Sequence, residues 1–404
     1  MKLSEPKIRF PYFRKNWEEV KIKHIIQRYV KPVKVELTKD YKQIGIRSHC
    51  KGIFHKELVS GIVLGNKRVF WIIENALIIN IVFAWEQAVS ITTKNEIGLI
   101  ASHRFPMYLP FDNKSDVNFL NYFFTSQKGK FLLESASPGG AGRNKTLGQK
   151  EFDNSKLIIP SIEEQTKIAN FLSAVDEKLN LLKEKKSLLK DYKKSIMQQI
   201  FNQELRFKDD NGNAFEDWAE STIADICVKI QSGGTPKSSN KDYYDGDIPF
   251  LSISDMTKQG KYIEYTSNSI SEMGLKNSSS WLVPANSIIY SMYASVGFAA
   301  INKIPLATSQ AVLNLILKEN IFTDFVYYFL QYFQKHLAEY ITTGTQGNLN
   351  AQTVKGFNIP IPCLKEQTKI ANFLSSIDEK IELIATQIED TQEYKKGLLQ
   401  QMFI

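Results

Sequence analysis

The strongest constraint on this chain is a stretch that it contains twice. Residues 164–173 and 366–375 both read E-Q-T-K-I-A-N-F-L-S, an offset of 202 (366 − 164). The match continues through Asp176-Glu177-Lys178 and Asp378-Glu379-Lys380, then Tyr192-Lys193-Lys194 and Tyr394-Lys395-Lys396, and ends at Gln198-Gln199 and Gln400-Gln401. A repeat this long in 404 residues makes the chain two related halves.

Within each copy, apolar residues recur at steps of four and three. The first carries Ile168, Leu172, Val175, Leu179, Leu182, Leu189, Ile196 and Ile200; the second Ile370, Leu374, Ile377, Ile381, Ile384, Ile388, Leu398 and Met402. Such a seam, free of proline and of glycine until Gly397, predicts one long coiled-coil helix per copy. About 38 residues at 1.5 Å each give a rod of roughly 55 Å. Pro160, Ser161 and the carboxylates of Glu163 and Glu164 are a helix-start signal.

A rod that leaves one domain and a rod that returns from the next must be antiparallel. The seam from Ile168 to Leu182 is therefore expected to serve helix pairing and a partner interface together with Ile370, Leu374, Ile377, Ile381 and Ile384. The flanking charges favour this pairing. The first rod is basic (Lys178, Lys183, Lys185, Lys186, Lys190, Lys193, Lys194) and the second acidic (Glu379, Glu382, Glu389, Asp390, Glu393). Lys186 stands on the seam where the second copy has Ile388. With the rods in register it falls opposite Ile381 and Glu382, so a Lys186–Glu382 ion pair is expected to fix register. The alternative is that its stem lies on the seam and its ammonium reaches water.

The duplication extends into the globular parts. Leu205-Arg206-Phe207, then Trp218, Ile223 and Ile226, echo Ile8-Arg9-Phe10, then Trp17, Ile22 and Ile25. β-Branched and aromatic runs at 69–73, 78–83, 248–253 and 287–292 read as strands, and the aromatic-rich segments 117–126 and 322–340 as helices. The helical spacing of Phe119, Tyr122, Phe123, Tyr327, Phe329, Tyr332 and Phe333 marks most of them as core. The expected fold class is α+β: two pseudo-two-fold-related globular domains separated by a long antiparallel two-helix coiled coil. The segments are 1–155 and 204–357 for the domains, 156–203 and 358–404 for the helices.

A net charge of +8 and a pI near 9.0 point to a polyanionic partner. The chain starts without an apolar core segment, and its longest apolar run, 76–84, is broken by Asn80. Neither a signal peptide nor a membrane span is expected, and the cytosol is the expected compartment. No phosphate-loop, dinucleotide or H-E-x-x-H motif occurs, nor an Asn/Asp-Pro-Pro-aromatic motif, so no catalytic residue and no cofactor is expected. Cys50, Cys227 and Cys363 are scattered, and His49, Cys50 and His55 read as surface residues, so no metal site is expected either.

What the sequence does carry suits nucleic acid. Small, flexible loops bring backbone N–H groups close to phosphates and present amide and guanidinium forks to base edges. In the first domain the candidates are Arg143, Asn144 and Lys145 on the Gly-rich loop 138–145, with Lys42, Arg47 and Arg104. In the second they are Lys237, Ser238, Tyr243, Tyr244, Tyr290, Tyr293, Gln346, Asn348 and Asn350.

Residues 159–178 and 361–380, each containing E-Q-T-K-I-A-N-F-L-S and D-E-K, resemble the two conserved regions of the specificity (S) subunit of type I restriction–modification enzymes. Gly-Gly-Thr-Pro-Lys-Ser-Ser at 233–239, Gly-Asp-Ile-Pro-Phe at 246–250 and Lys-Asn-Ser-Ser-Ser at 276–280 resemble one class of that family's target recognition domains; 139–147 resembles the end of another. The second domain departs in having Tyr244 and Phe250 where the class often has Trp. The resemblance implies a non-catalytic subunit that binds double-stranded DNA. Each domain would read one half of a bipartite site, and the rods would bind methyltransferase (M) subunits, with restriction–translocase (R) subunits joining the complex. The alternatives are a specificity subunit of a related type II-like methyltransferase–nuclease complex, a DNA-modifying enzyme, or a DNA-binding scaffold.

Overall fold

The computed structural model describes residues 5–139, 145–340 and 348–404. They form two compact units that interleave along the chain. One comprises residues 1–184 with 386–404, the other 185–385. Each unit thus takes one globular domain, the beginning of the long helix that follows it, and the far end of the other long helix.

In the first unit the strands are β1 (Glu18–Lys21), β2 (Ile26–Tyr29), β3 (Asp40–Ile46), β4 (Ile53–Ser60), β5 (Val69–Trp71), β6 (Leu77–Ile79), β7 (Val89–Ile91), β8 (Ile100–Ser102), β9 (Met107–Pro110) and β10 (Lys156–Ile159). They make sheets of order β2-β9-β6-β7 and β4-β3-β8-β5, and β1 pairs with β10. In the second unit β11 (Cys227–Ser232), β12 (Tyr244–Leu251), β13 (Tyr262–Ile263), β14 (Asn268–Ile270), β15 (Ile288–Ser291), β16 (Ala299–Asn302), β17 (Ala307–Thr308) and β18 (Val312–Leu317) form sheets β11-β18-β15-β16-β13 and β14-β12-β17. The four helices that matter most are α1 (Val117–Thr125), α2 (Ile162–Phe201), α3 (Thr323–Phe333) and α4 (Leu364–Gln401). The α+β class and the two long helices are as the periodicities predict.

The helical seam is buried where it meets a domain. In the first unit Ile168, Leu172 and Val175 of α2 share one core with Phe119 and Phe123 of α1 and with Leu398 and the following Met402 and Phe403 at the end of α4. In the second, Ile370, Leu374 and Ile377 of α4 join Phe325 and Phe329 of α3 and Met197, Ile200 and Phe201 at the end of α2. Leu179 and Ile384 are also buried; Leu182 and Ile381 are half-buried. Within each unit, therefore, the start of one long helix packs on the end of the other, the antiparallel arrangement. The aromatics of α1 and α3 are core, as their spacing predicts; only Tyr332 stays half-buried.

The repeated polar letters explain themselves in this setting. Glu164 is almost wholly buried. It accepts 2.8 Å hydrogen bonds from Nε and Nη2 of Arg9 and a 3.3 Å bond from the Trp17 indole. Glu366 repeats this with Arg206, at 2.8 and 3.0 Å, and with Trp218 at 3.0 Å. The neighbouring amides hold the domain helices. Gln165 accepts from the Asp116 N–H ahead of α1, and Gln367 from the Phe322 N–H ahead of α3. Each amide also donates back, to Pro160 and Pro362 carbonyls respectively.

A third tie joins both helices to the domain. The Tyr122 hydroxyl donates to Asp176 at 2.8 Å, and Lys395 from the end of α4 closes on the same carboxylate. In the second unit Tyr328 donates to Asp378 at 2.7 Å, with Lys193 from the end of α2 at 2.7 Å. Burial, reinforced by the aspartates, pushes both phenols well above their ordinary range, so they remain hydrogen-bond donors.

The ion pairs between helices thus run in both directions and use the motif's own aspartates. The expected Lys186–Glu382 pair is not found: among the described residues Lys186 makes no ion pair. Lys186 is half-buried and Glu382 exposed, which suits a lysine stem along the seam with its ammonium toward water.

Glu366→Gln is expected to lower the unfolding free energy by about 3 kcal/mol. That is the low end for breaking a buried ion pair, because the Arg206 side chain keeps 25% of its exposure. Urea denaturation with the full chain measures it, and a change below about 1 kcal/mol would contradict the role given to this carboxylate.

Candidate nucleic-acid interface

Cation-bearing turns of the two domains are the candidate interface, and each is held by its own backbone ties. In the first domain the β3–β4 hairpin closes with the Arg47 N–H donating to the Gly52 carbonyl at 3.0 Å. His49 and Cys50 at its tip adopt positive φ (58° and 57°), and their N–H groups donate to the carbonyls of Glu86 and Gln87. Lys42, on β3, Arg47 and Arg104 are exposed. Lys145 is half-buried, its ammonium 5.6 Å from the Trp85 ring centroid. His55 bonds Glu96 at 2.9 Å, and the described residues contain no group of three or more His, Cys, Asp or Glu placed to hold a metal.

In the second domain the Gly-Gly-Thr-Pro-Lys-Ser-Ser segment follows β11 and lies against β17. The Gly234 N–H donates to the Thr308 carbonyl at 2.9 Å. A Cβ on Gly233 would lie 1.9 Å from that carbonyl oxygen, and one on Gly234 would lie 2.2 Å from the Ser279 hydroxyl. Only glycine permits this approach, which seats the segment on the Lys-Asn-Ser-Ser-Ser stretch. The Tyr244 hydroxyl donates to the Pro236 carbonyl at 2.6 Å, and Trp281 donates to the Ser232 carbonyl. The braced turn leaves Lys237 and Ser238 exposed, with Tyr243 and Tyr244 half-buried beside it.

The remaining candidates separate. Tyr293 is exposed and Asn348 half-buried. Tyr290 is fully buried in the core of the second unit, so it is not a surface contact. All four residues of β15 are buried, because helices and sheet cover both its faces, and that removes the solvent face on which a tyrosine would project. Asn350 is exposed, but its side chain accepts the Thr353 N–H at 2.8 Å as the N-cap of helix Ala351–Lys355. Arg143, Asn144 and Gln346 lie outside the described residues. Sequence reasoning missed Ser48, Lys56 and Phe83, which with Arg104 line a cleft of about 340 Å³ beside the β3–β4 hairpin. Nothing in their local sequence marks them; the sheet brings them together.

Two domains that differ in their cationic turns, each tied to the long helices by the same polar contacts, present surfaces of a kind that suits nucleic acid. The model of the family described as the type I restriction modification DNA specificity domain matches residues 14–191 and again 215–392. The chain belongs to that family. The MjaIX specificity subunit of Methanocaldococcus jannaschii is 32% identical over 210 residues, 50% of this chain. The chain spans 48% of that relative's length. The MjaVIII specificity subunit of the same organism is 27% identical over 293 residues, 69% of this chain and 68% of the relative. Among solved structures, the HsdS subunit from Thermoanaerobacter tengcongensis matches with a TM-score of 0.57 at 16% identity, covering 98% of both chains. The S subunit from M. genitalium gives 0.57 at 16%, covering 99% of both. Among the described residues no helix is long and apolar enough to cross a membrane.

Asn350→Ala is expected to cost about 0.5–2 kcal/mol of stability through the lost cap, and Asn350→Asp to retain it. Thermal denaturation of the two variants distinguishes a cap from a surface contact.

Proposed function

We propose that the chain reads a bipartite site in double-stranded DNA, the first domain (1–155) taking one half and the second (204–357) the other. Cations and polar side chains supply the contacts: Lys42, Arg47, Arg104 and Lys145 in the first, with Arg143 and Asn144 of the sequence beside Lys145, and Lys237, Ser238, Tyr243, Tyr244, Tyr293 and Asn348 in the second, with Gln346 of the sequence near Asn348. The long helices offer methyltransferase subunits a surface, through which restriction–translocase subunits join. A DNA ligand supports a cytoplasmic location for the complex.

The observation that carries this reading is the contrast between frame and turns. The Arg–Glu–Trp tie, the glutamine tie and the Tyr–Asp–Lys tie occur in both units with the same geometry. The second domain alone carries the Gly-Gly-Thr-Pro turn, and the first presents a cleft beside its hairpin. A frame kept constant under two different turn sets suits two independent readers.

Replacing residues 212–355 by the equivalent domain of a relative is expected to change one half-site and leave the other intact, as read by methylome sequencing of cells carrying the hybrid and its partner genes. Alteration of both halves would contradict independent readers. Lys237→Ala should weaken DNA binding to about the same degree for every sequence and lower the salt slope by about 1, the signature of one phosphate contact.

A further inference from the structure

We propose that Arg47 is a guanine-reading residue of the first domain, held in its reading position by Phe54 lying on Gly45; this rests on the DNA-reading role given above. Gly45 and Phe54 are direct partners across the antiparallel β3–β4 pair. A Cβ at residue 45 would fall 2.3 Å from Cζ and 2.4 Å from Cε1 of Phe54, so the ring rests on the bare backbone of the glycine. Arg47, just past the end of β3, places its guanidinium carbon 4.7 Å from the centroid of that ring.

Three features make this arginine a reader and not an ordinary surface charge. First, among the described residues it has no carboxylate partner within ion-pair distance, although it is exposed. Second, its backbone is fixed: its own N–H closes the hairpin, and the tip is tied to residues 86 and 87. Third, it borders the cleft lined by Ser48, Lys56, Asn80, Phe83 and Arg104, whose lining includes no carboxylate.

The chemistry selects the ligand. A guanidinium in contact with a ring keeps N–H donors free for another partner, and a fork of donors matches O6 and N7 of guanine in the major groove. The ring also lowers the entropy lost when a long side chain is ordered, so the fork is pre-organised. Lys56 and Arg104, cations on the rim of the same cleft, suit the flanking phosphates. Phe54 is a positioning residue: it touches Arg47 and not the base.

The test selects randomised DNA duplexes with the full chain at low salt, for the wild type, Arg47→Ala, Arg47→Lys and Phe54→Leu. The wild type should show an invariant G·C pair in one half-site. Arg47→Ala should lose discrimination at that position alone, by roughly 5- to 150-fold. Arg47→Lys should fail to restore it, because an ammonium lacks the planar fork. Phe54→Leu should relax the same position by a smaller factor. Melting curves establish that each variant is folded; since Arg47 is exposed, its variants should melt close to the wild type. An equal loss for all sequences with a shallower salt dependence would overturn guanine reading in favour of a phosphate contact, and an unchanged preference would overturn any contact. A wild type with no sequence preference would overturn the DNA-reading role as well, which separates the two failures.

Discussion

A carboxylate removed from water must have its charge and lone pairs answered, or the fold that buries it loses several kcal/mol. Glu164 and Glu366 are buried at the first turn of their long helices, and everything around them follows from meeting that demand. Each draws in an arginine and a tryptophan from the segment ahead of its domain, which fixes where that segment crosses the helix. The adjacent glutamine then orients α1 or α3, and the aspartate about three turns further on collects a tyrosine of the domain and a lysine from the other helix. Polar geometry thereby specifies a placement that apolar packing alone would leave free to slide, since seam residues spaced by sevens match one another in several registers.

The two units share this frame, and the second adds a buried cation to it. Lys261 of the second unit reaches the Tyr328 hydroxyl and Ser375 at 3.0 Å each and pairs with Asp324 at 2.6 Å. Burial lowers its affinity for a proton even though Asp324 opposes the shift. The Tyr122 site of the first unit carries the hydroxyl of Ser173 and the Asp176 carboxylate, with no counterpart of Lys261 among the described residues. The added cation gives the second domain one more bond to its helix.

Much of this architecture was legible in the sequence because it is periodic. The heptad seam, the duplicated halves, and the strand and helix segments all depend on spacing, and the aromatic faces of α1 and α3 read correctly as core. The polar ties were visible only as repeated letters: a glutamate in a helix's first turn also reads as a solvated end charge, and only the arrival of Arg9 and Trp17, some 150 residues away, changes its meaning. Tyr290 was misread for a related reason. A four-residue strand buried on both faces lacks the alternation that would separate its inward from its outward residues. Asn350 could have been read better, since an asparagine immediately ahead of a short helix is an N-cap signal. The cleft of Ser48, Lys56, Phe83 and Arg104 draws on three separated segments and had no local signal.

The interleaving of the units has a consequence for the order in which the chain can fold during synthesis. Domains commonly close in the order they emerge from the ribosome. Here the unit of residues 185–385 is continuous, whereas the other needs residues 386–404 to cover Phe119, Phe123 and Leu172. At 5–20 residues per second, about 10–40 s pass between the emergence of residue 184 and that of residue 386. The first domain to be made is therefore the last to be finished, and its apolar helix face waits uncovered while its neighbour folds.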